Sequence, residues 1–252
     1  MGKQDHSFPF TGSVGKLSFF KSRTYGHMVR AKTGVSKERL ENDPNYILTR
    51  QNMVEFGVAA KAGKVVRTVF RSLLLGISDG RMIGRLSKKL REAVIGDTLH
   101  DRGARTVADG DPSVLKGFEF NVNSMLTSTL KTPYATGIDR SNGKLSVTIP
   151  SFIPKDMIVA PSGSSHYRII SAGAEIDFAT GTYAVDFQNS SILPIDKNPT
   201  ALLTLENQVS ANSVNPFFLA LGIEFYLQAN GTMWLMHSGA FNALAIVDAE
   251  KI

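Results

Sequence analysis

The stretch Glu55 to Arg67, EFGVAAKAGKVVR, places two glycines, a Gly-Lys pair and a basic run within thirteen residues. Residues of these types can grip phosphate, with loop N–H groups cradling the oxygens while a lysine supplies charge. That chemistry needs G-x-x-x-x-G-K-[ST] between a strand and a helix. Here Gly57 lies one position too far from Gly63, and Val65 stands where the metal-binding hydroxyl belongs. The residues before it read as helix, not strand. The nucleotide-loop reading fails on spacing and on context.

Other reactive side chains give no stronger pattern. His6, His27, His100, His166 and His237 are scattered without an HxxxH pair, so their spacing offers no metal site. Ser164-Ser165-His166 falls in a loop running into a strand and is no nucleophile elbow. Glu175 and Asp177 share one strand face, with Asp186 as a candidate neighbour opposite. Acids on the outer face of an antiparallel strand usually meet solvent, so a catalytic or calcium-binding pair is not favoured. The chain has no cysteine, which excludes disulfides and thiolate chemistry. The expectation is a protein that is not an enzyme, with no catalytic residue, no metal and no cofactor.

The same basic residues make better sense on a helix. Asp43-Pro44 is a start signal, and Ile47, Val54, Val58, Val65, Val69 and Leu73 are expected to form its inward face. On a helical wheel Arg50, Lys61, Lys64, Arg67 and Arg71 fall within about a third of the circumference. Gly57 and Ala60 lie among them, giving a shallow floor bordered by long cations. Glycine costs about 1 kcal/mol in a helix interior, so two of them point to a close approach. A second helix, with Met82, Ile83, Leu86, Leu90 and Val94 inward, carries Arg81, Arg85, Lys88, Lys89 and Arg91 opposite. Arg50, Gly57, Ala60, Lys61, Lys64, Arg67, Arg71, Arg81, Arg85, Lys88 and Lys89 together form the candidate interface or anion-binding surface. The competing reading is a solvated basic face.

These elements sit in a chain of 252 residues, 42% hydrophobic and 20% charged, enough to bury a sizeable core. Residues 1–35 read as an extended basic arm of polar strands that need something to pair with. Residues 36–101 read as the helical basic region, and 102–115, RGARTVADGDPSVL, as a linker. Residues 116–252 hold eight short strands at turn-punctuated spacing, with Asn142-Gly143 and Asn230-Gly231 as hairpin turns. The expected class is α+β: an arm and two amphipathic helices, then an antiparallel β-sandwich or barrel.

Charge is divided unevenly. Residues 1–115 carry 20 Lys and Arg against 11 Asp and Glu, a net of +9; residues 116–252 carry 8 against 11, a net of −3. Such asymmetry calls for an anionic partner, either nucleic acid or the acidic half of another copy. No run of apolar residues approaches the roughly 20 needed to span a bilayer, so no membrane span is expected. The N-terminus shows no classical signal peptide, which points to cytoplasmic synthesis and leaves a released or extracellular assembly open.

GVSKERLENDPNYILTRQNMVEFG followed by AKAGKVVR, and NGTMWLMHSGAFNALAIV near the end, resemble a family of Bacteroidetes proteins of about this chain's length. The likeness runs along most of the chain. It implies a bacterial or mobile-element protein and brings no fold, activity or site residue with it.

Three functions follow as expectations. The first is a structural protein that self-assembles into a filament, tube or phage-like particle. Its arm and basic helices would meet the acidic half of a neighbouring copy, head to tail. The alternative is nucleic-acid binding by the two basic helices, although no helix-turn-helix, zinc-finger, RRM or KH signature accompanies them. Phe19, Phe20 and Tyr25 have rings that can stack on bases, but strand aromatics more often pack in a core. A glycan- or ligand-binding sandwich has only Trp234 and Tyr226 in its favour.

Overall fold

Residues expected to need a partner pair instead with one another. In the computed structural model, which describes residues 1–4, 10–32, 34–77, 79–236 and 241–251, four short strands open the chain. They are β1 (Gly2–Lys3), β2 (Gly12–Val14), β3 (Leu17–Ser22) and β4 (Gly26–Ala31), antiparallel in the order β1-β4-β3-β2. The β3–β4 turn is fixed by the Ser22 hydroxyl, which accepts from the Thr24 and Tyr25 amides at 3.3 and 3.2 Å. Gly26 then closes the turn at φ 73°, a backbone value that suits glycine.

Helix α1 (Lys37–Asn42) starts at Ser36, whose hydroxyl accepts from the Arg39 amide at 3.2 Å. Asp43 caps a short 3-10 turn, Pro44–Tyr46, before α2 (Ile47–Val69) begins. The chain divides into two compact units, Met1–Arg50 and Gln51–Ile252. Among the described residues of the first unit, none is buried.

The second unit is a three-layer α+β body. Its helices are most of α2, then α3 (Arg71–Leu74), α4 (Met82–Ile95) and the single turns α5 (Leu126–Thr129) and α6 (Pro154–Met157). Its strands are β5 (Ala135–Asp139), β6 (Lys144–Ile149), β7 (His166–Ile176), β8 (Tyr183–Asn189), β9 (Leu193–Pro194), β10 (Leu203–Gln208), β11 (Phe217–Ala229), β12 (Thr232–Leu235) and β13 (Ala243–Glu250). Strands β7 and β11 form the middle of a six-stranded antiparallel sheet, curled into a half-barrel. Strands β12 and β13 share the far edge of β11, and β8 and β9 the far edge of β7. A three-stranded sheet in the order β10-β6-β5 faces it.

Strand alternation decides which layer each residue meets. From β11, Phe217, Leu219, Leu221, Ile223 and Phe225 join Leu145, Val147, Ile149 and Leu205 in the core between the two sheets. Phe218 and Ala220 point the other way, with Ala172, Ala174 and Ile176 of β7, into the core beneath α2 and α4. Because both faces of the large sheet are covered, β7 and β11 are buried almost throughout. The sandwich expected from the sequence is present, and the helices add a third layer.

Both Asn-Gly turns stand where the sequence places them, joining β5 to β6 and β11 to β12, with Gly143 at φ 69° and Gly231 at φ 77°. Residues 117–123, read as a strand, run beside β13 through a few hydrogen bonds only, such as Phe120 N–H to Leu244 O at 2.8 Å. Segment 102–115, read as a linker, lies inside the second unit and is tied to the helices. The Gly103 amide donates to Glu55 Oε1 at 3.0 Å, Arg102 Nη2 donates to Asn52 Oδ1 at 2.7 Å, and Val107 and Leu115 are buried.

Of the residues expected on the inward face, Val69 is buried and Val58, Val65 and Leu73 pack at the edge of the core, while Ile47 is exposed. Glu55, Ala59, Ala62, Gly63, Val66 and Val69 are buried, whereas Val54 is 51% exposed. The helix packs with Leu86 and Leu90 of α4 and with the alanines of the sheet, and its contact stripe combines small residues, Ala59, Ala62 and Gly63, with Val66 and Val69. Met53, Val54 and Phe56 turn outward. In α4, Leu86, Leu90, Ala93 and Val94 point inward and Ile83 is exposed.

Candidate interaction surfaces

The sequence places eleven residues in one candidate surface, and the structure sorts them by what they touch. Arg50, in the first unit, spends its guanidinium on its own helix start, with Nη1 donating to Leu40 O at 2.9 Å and Asp43 O at 3.0 Å. Arg85 is bound three ways. Its Nη2 donates to Asp79 Oδ2 at 2.5 Å, its Nη1 to Glu119 O at 2.7 Å, and its Cζ lies 5.1 Å from the Phe118 ring centre. Burial opposes the charge on Asp79, and hydrogen bonds from Arg85, Arg81 and Val122 outweigh it, so its pKa lies below the usual range. Arg67 turns back onto Gly63 O at 3.2 Å, and Lys89 pairs with Glu92 at 2.8 Å.

The side chains of Lys61, Lys64, Arg71, Arg81 and Lys88 have no ion-pair or hydrogen-bond partner among the described residues. On α2, Lys61 and Lys64 share the outward side with Met53 and Phe56, each 57% exposed, and with the half-buried Gly57 and Ala60. Among the described residues, nothing lies within 4 Å of where a Cβ on Gly57 would stand. The close approach is made by Gly63 instead, whose added Cβ would meet Leu90 Cδ1 at 3.5 Å. Lys61 also edges an apolar cleft of about 410 Å³ between α2, the 106–109 loop and the β7–β8 turn.

The first unit presents two different faces. Cross-strand register puts Val14, Leu17, Phe19, Val29 and Ala31 on one side. The Phe10 ring packs on Phe19 there, centres 4.3 Å apart, while Val14 and Leu17 remain exposed. The same register puts Lys3, Ser18, Phe20, Met28 and Arg30 on the opposite side. The sequence leaves Phe19, Phe20 and Tyr25 between base stacking and, more often, a core; here Phe19 and Phe20 are half-buried and Tyr25 is exposed.

The other chemical candidates serve the fold. Asp97, His100 and Asp109 bring ligand atoms within 4.8 Å of one another, a local carboxylate set that the histidine spacing did not reveal. Yet Asp97 already accepts from the Leu99, His100 and Thr106 amides at 2.9, 3.1 and 3.0 Å, and contacts His100 Nδ1 at 2.9 Å. Burial opposes its charge, but those hydrogen bonds dominate and hold its pKa far below the usual carboxylate range. It anchors the loop after α4. Glu175 is buried rather than solvent-facing and accepts from the Ser210 amide at 3.1 Å. Asp177 caps the β7–β8 turn, accepting from the Thr180 hydroxyl at 2.7 Å and the Ala179 amide at 2.8 Å. Trp234 is 61% exposed on β12, whereas Tyr226 is buried and donates to Glu224 at 3.0 Å.

Among the described residues no helix is long and apolar enough to cross a membrane. Comparison of the chain with models of known families, with curated proteins and with solved structures finds no match.

Proposed function

We propose that this is a structural protein that self-assembles, with the N-terminal sheet as its connector and the three-layer unit as its body. One observation carries the reading: a four-stranded sheet with apolar side chains on both faces buries none of its described residues. Such a sheet gains little free energy from burial by itself, and contiguous apolar surface of this kind marks a contact site. The side bearing Val14, Leu17 and Phe19 is the natural seat for another copy. Charge favours the acidic half of that copy, because residues 1–50 carry 9 Lys and Arg against 4 Asp and Glu, while residues 116–252 are net −3.

Multi-angle light scattering and negative-stain electron microscopy of the full-length protein test this. Particles or fibres that disappear in Leu17→Glu are expected; a monomer at every concentration overturns the reading.

A second reading, nucleic acid on the basic helices, is favoured by Lys61, Lys64 and Arg71, whose side chains have no partner among the described residues. It requires affinity that falls steeply with salt and is lost when these three residues are neutralised together. Retention of neither DNA nor RNA at low salt removes it.

A further inference from the structure

We infer that the second face of the N-terminal sheet binds single-stranded nucleic acid. Strand register sets Phe20 beside Met28, Met28 beside Lys3, and Arg30 beside Ser18, all on one side. Tyr25 joins them from the β3–β4 turn, where it, Phe20, Met28 and Arg30 line one cleft of about 410 Å³. Arg30 also lines a second cleft, of about 520 Å³, together with Ser18 and Lys32. The two clefts share Arg30, so they form a track with aromatic rings at one end and cations along it. The Arg30 guanidinium lies over the Phe20 ring, 5.3 Å from its centre, which holds a charge beside a π face.

Charge supplies the complement. Residues 1–32 contain six cations, Lys3, Lys16, Lys21, Arg23, Arg30 and Lys32, and a single acid, Asp5; register places Lys3 and Arg30 on this face and Lys21 on the other. None of the six makes an ion pair among the described residues, where the ion pairs of the first unit are Lys37 with Glu41 and Arg39 with Asp43. Tyr25 is 68% exposed and Phe20 half-buried, so their rings are available rather than spent in a core. Sequence-tolerant binding of single strands uses these two parts: rings on which bases stack, and a cationic groove that follows the phosphates. A duplex hides its base faces from such a surface. An anionic membrane would instead engage the aliphatic side of the sheet, where Val14 and Leu17 stand.

The inference does not depend on self-assembly and involves a different surface from the basic helices. Fluorescence anisotropy of a labelled oligothymidylate and of its duplex, titrated with full-length protein at 50 and 200 mM salt, tests it. Single-strand binding stronger than duplex binding is expected, with affinity falling about tenfold or more between the two salts if three phosphates are neutralised. Tyr25→Ala and Phe20→Ala should each weaken binding about tenfold, Tyr25→Phe should retain it, and Lys61→Ala with Lys64→Ala should leave it unchanged. Circular dichroism of each variant reports that the fold is kept. Absence of binding at 50 mM salt, equal binding of duplex, or losses that follow Lys61 and Lys64 overturn the inference. So does binding to anionic vesicles in the absence of oligonucleotide binding. Leu17→Glu separates the two proposals, because it should abolish light-scattering particles and spare the anisotropy signal.

Discussion

A Cβ built on Gly173 of β7 would stand 2.6 Å from Cβ of Asn207 in β10, so the two sheets meet there with no room for a side chain. Asn207 completes the junction, accepting from the Ser171 hydroxyl at 2.8 Å and donating to Asp186 O at 2.9 Å. Gly173→Ala must push the sheets apart and is expected to cost about 1–3 kcal/mol, as overpacking usually does. Urea unfolding of the full-length protein measures it.

The two glycines of α2 should behave oppositely. Space around Gly57 is open, so Gly57→Ala should raise stability by about 1 kcal/mol through helix propensity alone. Gly63→Leu would drive a large side chain into Leu86 and Leu90, with a loss of about 1–3 kcal/mol. Thermal melts compare them. Gly57→Leu keeps the fold and, if the outward face of α2 takes part in assembly, reduces particle formation.

Cations on α4 should separate into two classes. Arg85→Ala removes the partner of Asp79, whose side chain is 3% exposed, and one bond to Glu119 O. A loss of about 2 kcal/mol is expected, because the carboxylate is left desolvated and unpaired. Lys88→Ala, with no partner to lose among the described residues, should fall within about 0.5 kcal/mol of the parent. Denaturant midpoints at neutral pH decide.

Asp97 predicts an acid dependence with a definite sign. Its folded-state pKa is depressed despite burial, by hydrogen bonds from Thr106, Leu99 and His100. The stabilisation is therefore complete above the unfolded carboxylate value of about 4 and is lost as pH falls below it. Asp97→Asn should be less stable than the parent at pH 7, and the gap should narrow at pH 3. A gap that widens in acid contradicts the assignment.

The β-domain was legible because its signals are local. Asn142-Gly143 and Asn230-Gly231 demand particular turns, and the alternation of Ala172, Ala174 and Ile176 fixes one face of β7, with Phe178 just beyond it flanking the same core. The facing of α2 was partly legible: Val69 is buried and Val58 and Val65 flank the core, but a count of valines passes over Ala59, Ala62 and Gly63, which share the buried stripe. Glu55 reads as a surface residue and is buried, since its acceptor is needed by Gly103, 48 positions away. The basic surface was half legible. Lysine and arginine positions follow from the wheel, but only tertiary contacts show that Arg85 belongs to Asp79 while Lys61 has no partner among the described residues. Likewise, the two residues of β1 gain strand structure only from pairing with β4.

Light scattering of the full-length protein over a concentration series, imaged in parallel by electron microscopy, tests the central claim most directly. The account predicts mass that grows with concentration into regular particles or fibres, and its loss in Leu17→Glu. A single species of monomer mass throughout, with no particles in the images, contradicts it.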